Sequence, residues 1–235
     1  SALLGLAGLY RQPGLDYPVL PLLGAGYFNY DMGGRNVQTT ALLGGVINLV
    51  SFTNPHLFGK RLDATAQVVS LAVNLTDRLF VQGEELAKSN VDTRYQSLSG
   101  ALGASLGSFM RLKATYALDY ANYSRDVDTD SFVVPRDTFI QSPGVQWEFN
   151  RAAWSVVASG QKNFRAKWEP WGDETRPCPS PGSCLADFDP GQKTYETYEF
   201  SVAKQVFLPM FQKLRFEAMW QTGSRLDRFS EFRPS

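Results

Sequence analysis

Histidine is nearly missing from this sequence: 235 residues carry one, His56, beside 23 Lys+Arg and 23 Asp+Glu. A lone imidazole leaves a Ser/His/Asp arrangement with a single candidate base. His56 follows Asn54-Pro55 in a turn-forming stretch with no Ser or Cys next to it, and a structural role is expected. Cysteine is scarce too. Cys178 and Cys184 fall in one short run, Cys-Pro-Ser-Pro-Gly-Ser-Cys, and no Cys-x-x-Cys pair exists, so a zinc site lacks ligands. A P-loop is missing, and Gly24-Ala25-Gly26 lacks the third glycine and the helix of a dinucleotide site. No enzyme activity, cofactor or metal is expected. Nor is there an excess of either charge: the formal net charge is zero, which argues against a nucleic-acid binder.

Long hydrophobic runs are wanting as well. Val37 to Gly59 is an uncharged stretch of 23 residues, long enough to span a bilayer as a helix, yet only 11 of them are apolar. Gln38, Thr39, Thr40, Asn48, Ser51, Thr53 and Asn54 interrupt it, with Gly44-Gly45 in the middle and Pro55 near the end. A transmembrane helix is excluded on transfer cost. What the chain does have is aromatic residues, 16 Phe, 10 Tyr and 5 Trp, at a mean hydropathy of only −0.23. At 43% hydrophobic it is not a disordered chain.

The pattern that recurs has a period of two. Met110, Leu112, Ala114, Tyr116, Leu118 and Tyr120 alternate with Arg111, Lys113, Thr115, Ala117 and Asp119. Leu214, Phe216, Ala218 and Trp220 alternate with Arg215, Glu217, Met219 and Gln221, and Tyr198, Phe200 and Val202 with Glu199, Ser201 and Ala203. Strand side chains point to opposite faces in turn, so each segment has one apolar and one polar side. Weaker alternation marks strands near 18–31, 37–50, 62–75, 94–106, 139–149 and 153–163, the third of these changing phase at Val68-Val69 as a bulge would. With Ala2–Tyr10 this makes about ten strands. The links at 107–109, 150–152 and 208–212 are short; those at 76–89, 124–136 and 164–193 are long and polar.

Short and long links alternate, which puts the long ones at one end of an antiparallel sheet. Transmembrane β-barrels of the outer-membrane type are laid out this way. By parity the 32–36 link falls at the long-loop end. Aromatics near strand ends (Tyr27, Phe28 and Tyr30; Trp147, Phe149 and Trp154; Trp168 and Trp171; Phe207 and Phe211) are placed as interfacial girdles would be. The expected fold is therefore all-β, an antiparallel transmembrane β-barrel, with the lipid bilayer as a partner. Arg111, Lys113, Asp119, Glu148, Glu199, Arg215 and Glu217 are its lumen-facing candidates, able to pair with one another. Cys178 and Cys184 are a disulfide candidate, which favours an oxidising compartment; two free thiols are the alternative. Asp173, Glu174, Asp187 and Asp189 read as a solvated acidic loop rather than a calcium site. A soluble β-rich binding domain is a further alternative.

The segment Leu23-Gly24-Ala25-Gly26-Tyr27-Phe28-Asn29-Tyr30-Asp31-Met32-Gly33-Gly34-Arg35-Asn36 resembles the start of barrels in the BamA/TamA superfamily. Thr53-Asn54-Pro55-His56-Leu57-Phe58-Gly59 is similar to a link after an early strand there. Tyr195–Phe200 and Ser224-Arg225-Leu226-Asp227-Arg228-Phe229 are similar to the stretch before that family's inward-folding loop. The Arg-Gly-aromatic motif and the POTRA repeats of the family are not in the sequence. The resemblance thus implies that residues 1–235 are a piece of a larger, sixteen-stranded barrel in the bacterial outer membrane. It implies work on unfolded outer-membrane or secreted polypeptides, inserting or translocating them. A passive pore or small-molecule transporter is the alternative within the membrane class.

Overall fold

The computed structural model describes residues 1–10, 20–57, 61–126, 132–176, 178, 180, 187–207 and 213–230. Five strands come first: β1 (Ala2–Tyr10), β2 (Leu20–Asn29), β3 (Gln38–Leu43), β4 (Ile47–Asn54) and β5 (Leu62–Leu71). A link follows that holds β6 (Leu75–Asp77) and the small hairpin of β7 (Phe80–Val81) and β8 (Glu84–Glu85). Six long strands complete the order: β9 (Val91–Ser105), β10 (Met110–Arg125), β11 (Thr138–Arg151), β12 (Trp154–Arg165), β13 (Thr194–Phe207) and β14 (Lys213–Ser224). Apart from β7 and β8, all belong to one sheet. Its order is β1-β2-β3-β4-β5-β9-β10-β11-β12-β13-β14, antiparallel at every step, with β6 added beside β9. The all-β expectation holds: no α-helix occurs among the described residues, only short 3-10 turns such as Met32–Gly34 and Ala87–Ser89. The sheet is open, with β1 and β14 at its two ends and no pairing between them.

Two local expectations are corrected. The segment expected as one strand from Val37 to Val50 is a hairpin, β3 and β4, joined at Gly44–Val46. Gly45 turns the chain at φ +70°, a conformation costly for residues with a Cβ. The extra strand reverses the parity of everything before it, so the Met32–Asn36 link lies at the short-turn end, not with the long loops. The bulge expected at Val68-Val69 is absent. β5 pairs without interruption with β4 from Ile47↔Leu71 to Asn54↔Ala64 and with β9 from Leu62↔Ala104 to Ser70↔Gln96. The change of phase is Val69 and Leu71 on the face that carries Asp63, Thr65 and Gln67, with Ser70 on the other.

The β11–β12 ladder skips Ser142 and Pro143, where proline has no N–H to give. Side chains bridge the gap instead: Ser142 Oγ donates to Asn163 Oδ1 at 2.6 Å, and Asn163 Nδ2 to Thr197 Oγ1 at 3.3 Å. The hydrophobic core does not lie along the sheet. Val91, Ala121, Tyr123, Phe132, Ile140, Trp168, Trp171 and Phe229 are buried together at the long-loop end.

Candidate functional site

Register fixes which side chains share a face. Arg111 stands opposite Glu148, Glu148 opposite Val157, Val157 opposite Ser201 and Ser201 opposite Met219. Counting by twos from this row puts Arg111, Lys113, Asp119, Glu148, Glu199, Arg215 and Glu217 on one face. Asp63, Thr65 and Gln67 of β5 and Ser97 and Ser99 of β9 join them. The opposite face carries Leu98, Leu102, Leu112, Tyr116, Val145, Trp147, Trp154, Phe200, Leu214, Phe216 and Trp220.

The two faces are solvated the wrong way round for a protein in water. Leu102 and Val145 are each 60% exposed, Phe216 62% and Trp220 59%, whereas Asp63, Ser142 and Asn163 on the polar face are at most 6% exposed. A continuous apolar patch of this kind marks contact with a partner or a membrane. Charges bound it along β12, whose apolar side runs from Trp154 through Val156, Ala158 and Gly160 to Lys162. Lys204 Nζ lies 4.8 Å from the centre of the Trp154 ring, and Lys162 Nζ is 4.0 Å from Glu196 Oε1. Eight residues of strand separate Trp154 from Lys162, about 27 Å along the chain, against an apolar band of about 25 Å on outer-membrane barrels. Trp147 and Phe149 stack near the short-turn end of this face, at 6.2 Å between centroids. Trp168 and Trp171, expected in a girdle, are instead buried in the loop-end core. Phe211 lies outside the described residues.

Part of the expected lumen set comes together as a charge cluster. Arg111 Nε donates to Asp63 Oδ1 at 2.9 Å, and Arg111 Nη2 pairs with Asp63 Oδ2. Lys113 Nζ pairs with Glu148 Oε1, which also accepts from Gln146 Nε2 at 2.6 Å. Asp63 and Gln146 escaped the sequence reading; Asp63 sits in register across from Gly103, where a Cβ would lie 2.3 Å from its carboxylate oxygen. The other candidates stay apart from this cluster. Asp119 hydrogen-bonds Ser97, Glu199 accepts from Gln221 Nε2 at 3.0 Å, and Arg215 pairs with Glu217 on the terminal strand at 2.9 Å. Between these groups the polar face encloses a cavity of about 410 Å³ lined by Gln67, Ser99, Thr115, Gln146, Ser159 and Gln161.

The long-loop end is closed by residues following β14. Arg165, at the end of β12, donates to Asp227 through Nη1 at 2.5 Å and Nη2 at 2.8 Å, and neither side chain reaches solvent. The guanidinium lies 3.8 Å from the Trp168 ring centre and 4.7 Å from that of Tyr195. Asp227 also accepts from Phe229 N and Ser230 Oγ, which ties the segment into a compact turn. Arg228 donates to Asp77 Oδ2 at 3.1 Å and to the carbonyls of Ser89 and Asp77. Phe229 then packs edge-on against Tyr123, Trp168 and Trp171.

The acidic loop is not uniformly solvated as expected. Asp189 is fully buried, accepting from Gly191 N and Gln192 N. Asp173 is half-buried, and donation from the Thr175 hydroxyl and N–H holds its carboxyl below the usual range. No group of three or more His, Cys, Asp or Glu side chains placed to hold a metal occurs among the described residues. Cys178 is disulfide-bonded, and Cys184 lies outside the described residues.

Gly103-Ala104-Ser105-Leu106-Gly107 has the spacing of a nucleophile elbow, against the expectation that the chain holds no Gly-x-Ser-x-Gly motif. Here it ends a strand and turns into another strand rather than into a helix. Ser105, His56 and Asp63 line one cavity, but Asp63 is held by Arg111 and no hydrogen bond joins the three. No helix among the described residues is long and apolar enough to cross a membrane, which leaves strands unaddressed. Compared with known proteins, the chain matches no family model, and no curated protein is significantly similar to it.

Proposed function

We propose that this chain is part of an outer-membrane β-barrel of BamA/TamA-like type, which assists the insertion or translocation of polypeptides at the bacterial outer membrane. One observation carries the membrane reading: the inverted faces, with Leu, Phe and Trp exposed over β9–β13 while carboxylate, amide and hydroxyl groups on the other side are enclosed. Hydrocarbon stabilises such a face; water does not. The long loops collected at one end add support. So does the burial of Asp227, Arg228 and Phe229 within that end, because they belong to the stretch whose sequence resembles the approach to an inward loop.

Inside a bilayer the edges of β1 and β14 need partner strands, since unpaired backbone groups there cost several kcal/mol each. Strand addition at such an edge is the physical route by which one polypeptide guides another. The reading of a passive pore gains little from the interior. Most of its charges are paired, and the Arg165–Asp227 and Arg228–Asp77 pairs occupy the long-loop end.

The test is reconstitution. The chain should resist extraction from membranes by alkaline carbonate, and liposomes carrying it should insert an unfolded outer-membrane polypeptide faster than protein-free liposomes, scored by protease protection. Extraction into buffer would remove the membrane reading; equal insertion rates would remove the assembly reading alone.

A further inference from the structure

A second cavity, of about 690 Å³, opens at the short-turn end, where the β4–β5 link and the β9–β10 turn meet. Its lining includes Thr53, His56, Arg61, Ser105, Ser108 and Arg111, together with Asp63. The size is that of small-ligand sites. Its electrostatics are lopsided. Both Asp63 oxygens face Arg111, while Glu148 Oε1 is taken by Lys113 and Gln146 and its Oε2 lies 3.8 Å from Arg111 Nη1. Arg61 is exposed and makes no ion pair among the described residues. Counting Asp63, the two arginines leave one positive charge on the lining.

Arg111 is also pre-aimed. Its Nε and Nη2 are fixed by Asp63, which sets the plane of the guanidinium, while Nη1 has Glu148 only at 3.8 Å, beyond hydrogen-bond reach. A guanidinium held on one side with donors unused on the other suits a planar or tetrahedral oxyanion. The hydroxyls of Thr53, Ser105 and Ser108 offer further donors.

We propose that this cavity binds an oxyanion, a phosphate or carboxylate group, between Arg61 and the Nη1 donors of Arg111, which make no hydrogen bond and only a loose ion pair with Glu148. The site does not depend on the assembly role proposed above.

The full chain in detergent micelles at low ionic strength is titrated calorimetrically with inorganic pyrophosphate and, separately, with tetra-glutamate. Saturable binding of one probe is expected, and which one binds identifies the group as phosphate or carboxylate. Arg61→Gln, at an exposed position, should weaken binding about tenfold or more, the loss of one charge-assisted contact. Ser108→Ala should weaken it roughly threefold. Lys162→Gln, on the apolar face toward the other end, should leave it unchanged. Failure of both probes to bind overturns the proposal, as does binding that ignores Arg61→Gln and Ser108→Ala or that falls with Lys162→Gln.

Discussion

Arg165 and Asp227 meet across 62 residues of sequence with neither side chain exposed, so each is tolerable only in the presence of the other. Arg165→Met should cost about 3–5 kcal/mol by leaving a buried carboxylate unpaired, read from the urea midpoint of the chain in micelles. The double variant with Asp227→Leu should recover part of the loss, not all, because Asp227 also accepts from Phe229 N and Ser230 Oγ. Gly103→Ala should cost about 1–3 kcal/mol by forcing a Cβ against Asp63, and Asp63→Ala in the same chain should relieve the clash. None of these partnerships was legible in the sequence. Alternation says which face a residue takes, and Arg111, Lys113 and Glu148 share one; it does not say that Asp63, 48 positions away, arrives beside Arg111. Arg165 and Asp227 carry no local spacing signal at all.

At the scale of strands the sequence was most informative where the run was long. The Met110–Tyr120 alternation became β10, and the short turns around Gly107 and Asn150 are hairpin connections. It failed where strands were short: β3 and β4 have 6 and 8 residues, and their uncharged stretch hid the turn that Gly44-Gly45 marks. Faces on adjacent strands can be tested directly. Val145, in the middle of the apolar side of β11, should cost about 2–4 kcal/mol on replacement by Arg in a bilayer. Ser159→Arg, on the polar side of β12, should cost much less, both read by unfolding in lipid vesicles. Position along the sheet matters as well. Amides of β10, β11 and β12, paired on both sides, should exchange with deuterium far more slowly than those of β1 and β14, each paired on one side only.

The whole molecule inverts the usual arrangement, in that its largest rings and aliphatic chains face outward over the sheet and its one dense hydrophobic core sits at the loop end. That core could not be read beforehand, since Phe132, Trp168 and Trp171 belong to links that looked long and polar and Phe229 comes from beyond the last strand. The five tryptophans divide cleanly between the two environments: Trp147, Trp154 and Trp220 on the apolar face, Trp168 and Trp171 in the core. Single-tryptophan variants in vesicles of brominated lipid therefore test the central claim. Contact with hydrocarbon requires quenching at Trp147, Trp154 and Trp220, with Trp168 and Trp171 bright. Equal quenching at all five, or none at the three outward positions, would contradict it.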